Sequence, residues 1–410
     1  MISETIIPLF DLELSERHRE AVDAVLRSGW LTMGPRIQEF EEGFAEHLGV
    51  PHVVAVNSGT AALHIAYLGA GIGPGDEVVV PAITFAATAA AVRHCGGVPV
   101  PADIVGSDDL NLDPADVEAA LTERTKAVCV VHYAGYPAAV EALRDLCDAR
   151  GLALIEDAAH APSARTADGS QVLGTIGLAS AFSFFSNKVL SCGEGGALAT
   201  GDEEVARQAR LLRSHALTAT TWDRHRGHAP GYDVVATGFN YRLDEVRAAL
   251  LTARLEDLEE DIEQRRVLVH RYREFLADIP GVVVPFDEGL VERSSCYVMP
   301  LVLDDAALRD PVREVMRHDH GVQTSVLYPA LHELSAYAEE SRRPLARSEH
   351  VGRAQLTLPL FPHLGEDRQD RVVEALRAGL AALRDGSSPP GRGFVSRRRD
   401  RVARVGVERP

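Results

Sequence analysis

The chain has almost no lysine. Of its 42 basic side chains only Lys126 and Lys188 are lysines; the rest are arginine. Cysteine is also scarce: Cys95, Cys129, Cys147, Cys192 and Cys296 are odd in number, widely spaced, and never form a Cys-x-x-Cys pair. That spacing argues against a disulfide framework and against a zinc site, and no metal is expected. No apolar run approaches the ~20 residues that span a bilayer. The start, Met1-Ile-Ser-Glu-Thr, lacks the basic and apolar segments of a secretory signal. A formal net charge of -18 repels phosphate backbones and argues against a nucleic-acid partner. The expectation is a reduced, cytoplasmic, globular protein with no membrane partner, in keeping with 46% hydrophobic and 25% charged residues.

Lysine scarcity gives each lysine a question to answer. An arginine side chain stays protonated and cannot act as an amine nucleophile, whereas a lysine with a lowered pKa forms Schiff bases. Base composition alone can explain the arginine bias, so the neighbours of each lysine decide. Lys126 follows Arg124-Thr125 and reads as solvated. Lys188 closes Ser183-Phe-Phe-Ser-Asn-Lys188 and is followed by Gly193-Glu-Gly-Gly196.

At 410 residues the chain is long enough for two domains. Short apolar strands alternate with helices between about residues 50 and 200. Strands are expected at His52–Val56, Glu77–Pro81, Ala127–His132, Leu152–Ile155 and Ala181–Ser186, and helices over Thr60–Leu68, Ala86–His94 and Ala138–Arg150. That alternation indicates a mostly parallel sheet covered on both faces. Asp244–Ile279 reads as one long charged helix leading to a smaller α+β unit, with a strand at Tyr297–Leu303 and helices near 306–318 and 367–384. The expected division is a large domain over 1–250, a small one over 251–385, and a basic tail over 386–410, expected to be disordered.

Four segments can carry chemistry. Asn57-Ser58-Gly59-Thr60 stands between a strand and a helix, where free N–H groups and the helix dipole favour a phosphate; a plain helix cap explains Ser58 equally. Asp157 ends a strand, where ligands of parallel sheets bind. A buried carboxylate there needs a partner such as a protonated pyridine nitrogen, or it caps the next helix. Lys188 follows the next strand, among glycines that let backbone pass close to a ligand. Gly238-Phe-Asn240-Tyr-Arg242 precedes the long helix; Asn240 and Arg242 can meet an anion, or the turn is only a helix entry capped by Asp244. A phosphate cradle, a carboxylate and an amine, in this order, are the parts a pyridoxal phosphate enzyme requires.

The segments Ser28-Gly-Trp-Leu-Thr-Met-Gly-Pro35, Asn57-Ser-Gly-Thr-Ala-Ala-Leu63, Gly73-Pro-Gly-Asp-Glu-Val78, Pro81-Ala-Ile-Thr-Phe85, Glu156-Asp-Ala-Ala-His160, Phe182–Lys188, Gly193-Glu-Gly-Gly196 and Asn240-Tyr-Arg-Leu243 resemble those of the DegT/DnrJ/EryC1/StrS sugar aminotransferases. The resemblance runs from about Ile7 to His363. It implies an α/β, aspartate-aminotransferase-like fold (fold type I): a large domain with a mostly parallel seven-stranded sheet between helices, and a smaller α+β C-terminal domain. The cofactor it implies is pyridoxal 5'-phosphate. Lys188 would bond the cofactor aldehyde and shuttle protons, Asp157 would hold the pyridine nitrogen protonated, and Phe85 would stack on the ring. His160 would lie by the cofactor hydroxyl, a residue suggestive of amination at C4 of a sugar. Ser58, Gly59, Thr60 and Ser183 would hold the phosphate. Asn240 would reach it from a neighbouring subunit, so two active sites would be shared in a homodimer. Tyr328, His332 and Arg242 match segments near the substrate.

The resemblance thus implies transfer of an amino group from L-glutamate to a nucleotide-linked ketosugar (dTDP or UDP). A keto-cyclitol or other natural-product ketone is an alternative acceptor, and a non-catalytic regulatory protein is a second alternative. Relatives with histidine in place of the lysine perform dehydration; Lys188 points to amino transfer.

Overall fold

The computed structural model describes residues 6–384 apart from 220, 221, 223, 224, 226 and 228–230. The expected tail at 386–410 lies outside the described residues. Seven strands, β1 (His52–Val56), β2 (Glu77–Pro81), β3 (Val98–Ala102), β4 (Thr125–Val131), β5 (Ala153–Asp157), β6 (Ala179–Ser183) and β7 (Gly196–Thr200), form one sheet in the order β1-β7-β6-β5-β4-β2-β3. From β6 to β3 every pairing is parallel, and β7 alone runs antiparallel to its neighbours β1 and β6. Central strands such as β2, with Val78, Val79 and Val80 fully enclosed, are continuous apolar runs because helices cover both faces. Each such side chain contributes roughly 1.5–3 kcal/mol by leaving water.

A second, antiparallel sheet of β8 (Val282–Val283), β9 (Met299–Leu303) and β10 (Gln355–Leu358) has the order β10-β9-β8. Its core joins Met299, Leu301 and Leu356 to Leu268, Tyr272 and Leu276, and takes in Ile7, which pairs with Val322. This is the expected α/β architecture, with the seven-stranded sheet and a smaller mixed unit.

The long helix expected over Asp244–Ile279 is two helices, Glu245–Leu255 and Leu258–Leu276. The break falls at Glu256 and Asp257, where Asp257 holds Arg17 and His18 of the first helix. Glu259, Glu260 and Asp261 then open the new helix, their charge suited to its positive N-terminal end. Strand β6 ends earlier than expected, at Ser183, so Lys188 lies in a turn and not on the strand's tip. Strands β3, β7, β8 and β10 were not foreseen; they are short, and β3 carries two prolines that blur a strand signal.

Candidate active site

Alternation along β6 sets the direction of its side chains. Phe182 and Phe184 point to the core, meeting Phe44 at centroid distances of 5.1 and 5.6 Å, while Ser183 faces the other way and is partly exposed. Beyond β6 the chain folds back: Lys188 N–H donates to the Phe185 carbonyl at 2.8 Å and Cys192 N–H to the Phe184 carbonyl at 2.9 Å. Gly193, at φ +97°, lets this turn close. A buried arginine, Arg254, clamps the turn from helix Glu245–Leu255, donating to the carbonyls of Ser191 (2.9 Å) and Val189 (3.2 Å). The Lys188 Nζ lies 4.4 Å from the centre of the Tyr297 ring. Burial lowers its pKa to about 7 against the opposing pull of Asp157. A cavity of about 150 Å³ opens beside it, bordered by Ser186, Asn187, Arg254 and Arg265.

Asp157 closes β5 and is buried. Its carboxylate accepts from the Thr88 hydroxyl at 2.9 Å and from Ala159 N–H at 3.2 Å. Thr88 in turn is bonded to Thr84 at 2.8 Å. Burial raises the Asp157 pKa more than Thr88, Ala159 and the charge of Lys188 lower it. No helix follows Asp157, so it is not a helix cap. The adjoining Glu156 faces away and is structural: it accepts from the N–H groups of Gly174, Ile176 and Gly177 and pairs with His132 at 3.0 Å. Three residues on from Asp157, His160 lies between tyrosines. Its ring stacks on Tyr297 at 4.4 Å, and its Nε2 is 2.9 Å from the Tyr328 hydroxyl. Among the described residues the buried histidine Nδ1 has no partner. Burial and the charge of Lys188 hold the ring well below its usual pKa.

The turn at residues 57–60 sits over the end of β6. Ser58 caps helix Gly59–Gly69, accepting from Ala61 N–H at 3.1 Å. A side chain at Gly59 would strike the Ser183 Cβ at 2.9 Å, and one at Gly196 would lie 2.6 Å from the Gly59 nitrogen. The glycines therefore bring the helix start against the strands, leaving Thr60 and Ser183 partly exposed there. Asn57 ties this turn to the Asn240 segment: its amide donates to the Asn240 carbonyl at 3.2 Å and its N–H to that of Tyr241 at 2.8 Å.

The pattern of the DegT/DnrJ/EryC1/StrS aminotransferase family matches residues 13–377. This chain belongs to that family. It is a pyridoxal phosphate-dependent aminotransferase of fold type I. The family member SpsC, a spore coat polysaccharide biosynthesis protein of Bacillus subtilis (strain 168), is 36% identical over 367 residues, 87% of this chain and 93% of its own. The crystal structure of the aminotransferase TlmJ from Streptoalloteichus hindustanus superposes with a TM-score of 0.83 at 36% identity, covering 93% of this chain and 99% of that one. DesI, solved in the presence of its TDP-sugar product, gives a TM-score of 0.79 at 35% identity over 90% of this chain and 92% of its own.

The residues present fit the cofactor of this aminotransferase family. Burial disfavours the charge on Asp157, and a cationic ring nitrogen would supply the partner that a buried carboxylate needs. The unpartnered His160 Nδ1 suits a ring oxygen, and the Ser58–Thr60 turn suits a phosphate. Lys188, Asp157, His160 and Tyr328 form one cluster. Phe85 is exposed beside it, its ring 5.9 Å from that of Tyr328. Arg242 donates to Ser214 at 3.3 Å, and His332 meets Glu349 at 3.3 Å. Lys126 is exposed. Sequence reading overlooked Thr88, Tyr297 and Arg254. Thr88 had a signal, being the one polar residue within Ala86-Ala-Thr-Ala-Ala-Ala91.

Proposed function

We propose that this aminotransferase moves the amino group of L-glutamate to the keto group of a nucleotide-linked deoxysugar, at C4, within amino-sugar biosynthesis. The observation that carries the reading is the convergence of Lys188, Asp157 and His160, with the Ser58–Thr60 turn packed on the end of β6 at Ser183. The relatives support the substrate class, since one is named for polysaccharide biosynthesis and another was solved with a TDP-sugar product. In this reading residues 1–250 form the cofactor domain and 251–385 a smaller substrate-facing one. Two chains share their sites, with Asn240 of each contributing to the phosphate site of the other.

When bound, the cofactor supplies an aldehyde that carries the amino group and a ring that accepts electrons. The chain supplies the rest. Lys188, with its pKa lowered to about 7, has an uncharged amine near neutral pH, which can bond the aldehyde. Its Nζ would take the proton from the donor's α-carbon and return one when the amine is passed on. Asp157 keeps a positive charge on the ring nitrogen, held in aim by Thr88. Ser58, Gly59, Thr60 and Ser183 fix the phosphate. His160, Tyr297 and Tyr328 form an aromatic wall that keeps water from the reacting atoms.

Enzyme first loaded with the amino group from glutamate, then offered dTDP- and UDP-linked 3- and 4-ketosugars, should aminate a 4-ketosugar fastest. Preference for a keto-cyclitol would reassign the acceptor and leave the chemistry standing.

A further inference from the structure

We propose that Tyr328 is a positioning residue: its hydroxyl proton fixes His160 as the Nδ1–H tautomer, with that N–H directed to the ring oxygen of the cofactor. The proposal rests on the functional reading above and deepens it.

The geometry is specific. The rings of His160 and Tyr328 are nearly parallel, at 8° with centroids 5.9 Å apart, and the Tyr328 hydroxyl lies 2.9 Å from Nε2. Both residues are buried. A buried phenol needs an acceptor for its proton, and among the described residues the acceptor given to Tyr328 is His160 Nε2. Burial pushes the Tyr328 pKa far up, so that proton stays on oxygen. A neutral imidazole has one donor nitrogen and one acceptor. With Nε2 accepting, the hydrogen is on Nδ1, the buried atom that lacks a partner. Leaving it so is costly, and an oxygen acceptor removes the cost.

The surroundings hold this arrangement. Tyr297 stacks on the imidazole at 4.4 Å, and Tyr133 stands edge-on to it at 6.2 Å. The Tyr133 hydroxyl donates to Gln355 Oε1 at 2.6 Å, while the Gln355 amide holds the Tyr328 carbonyl. Ser295 donates to the His160 carbonyl. The groups facing His160 are therefore Tyr133, Tyr297, Tyr328 and the Lys188 amine. None of the tyrosines is charged at neutral pH, because burial raises all three.

Two measurements on the cofactor-loaded enzyme test the proposal. In the first, ¹⁵N spectra of histidine-labelled wild-type enzyme, with His160 assigned through His160→Gln, should show a protonated Nδ1 and an accepting Nε2; a protonated Nε2 overturns the assignment. The second is a pH titration of the visible absorption band. A donor to the ring oxygen stabilises the form that has lost the proton shared with the Lys188 nitrogen. Tyr328→Phe should therefore raise the midpoint, by about 0.5–1 pH unit for a weakened hydrogen bond to a charged oxygen. In a His160→Gln background the same substitution should add no shift, since glutamine has no tautomer to set. An unmoved midpoint in Tyr328→Phe, or an equal shift in both backgrounds, refutes the role of Tyr328. Wild-type protein with no visible band at all would refute the functional reading itself.

Discussion

Two side chains of opposite preference, a partly buried lysine and a buried aspartate, make the centre of this site. Burial drives the Lys188 amine toward its neutral form and raises the Asp157 pKa, while Thr88, Ala159 and the charge of the lysine favour the carboxylate. A carboxylate so placed acts through its charge. Asp157→Asn keeps the size and the Thr88 contact but loses that charge. It should lower turnover by about 100-fold or more while the far-ultraviolet circular dichroism stays unchanged; steady-state kinetics of the loaded variant decide. Lys188 and Asp157 stood out in the sequence because Asp157 closes a strand and Lys188 follows the next one, among glycines, in a chemically meaningful order. Tyr297 and Arg254 did not, because their roles depend on contacts across more than 60 positions, which no local pattern records. Arg242 and His332 were named from their neighbours in sequence; their contacts with Ser214 and Glu349, both distant in the chain, were not legible there.

Strands and turns set the distances between these groups. The Asn57–Thr60 turn is pressed onto β6 and β7 so closely that Gly196 has no room for a side chain. Gly196→Ala should displace the helix start. Its expected effect is a cofactor dissociation constant raised about tenfold, at a stability loss of about 1–3 kcal/mol; equilibrium dialysis and thermal melts check both. At the head of β2, buried Glu77 accepts from Thr122 and Arg124 and meets Arg342 of the C-terminal part at 2.7 Å. Although burial opposes it, these partners hold the carboxyl down at about 2. Its contribution is therefore complete above the ordinary carboxylate value and lost as pH falls from about 4.5 to 2. Glu77→Gln should cost about 1–2 kcal/mol at pH 7, since its arginines are half exposed. The difference from wild type should vanish near pH 2 in denaturant titrations. Repeating apolar runs made most of the large sheet readable in advance. The break between Leu255 and Leu258 was hidden because both helices are charged and proline-free, and the interruption is set by Arg17 and His18 far away in sequence.

Across the whole molecule, one long sheet carries the cluster at its strand ends and a second core closes over it through Tyr328. Among the described residues no helix is long and apolar enough to cross a membrane. Phe85, Tyr232, Val234 and Val235 are exposed apolar side chains. If Asn240 serves the partner's site, Lys188→Ala and Asn240→Ala subunits, each inactive as a pure dimer, should together regain roughly a quarter of wild-type activity, because half the dimers are mixed and hold one intact site. Recovery of nothing would make each site self-contained. The central claim, that Lys188 and Asp157 operate an amino-transfer centre, is tested most directly by a single turnover with L-glutamate. The loaded enzyme should lose its visible band and release one 2-oxoglutarate per chain. A band that glutamate leaves unchanged, with no 2-oxoglutarate formed, would contradict the account.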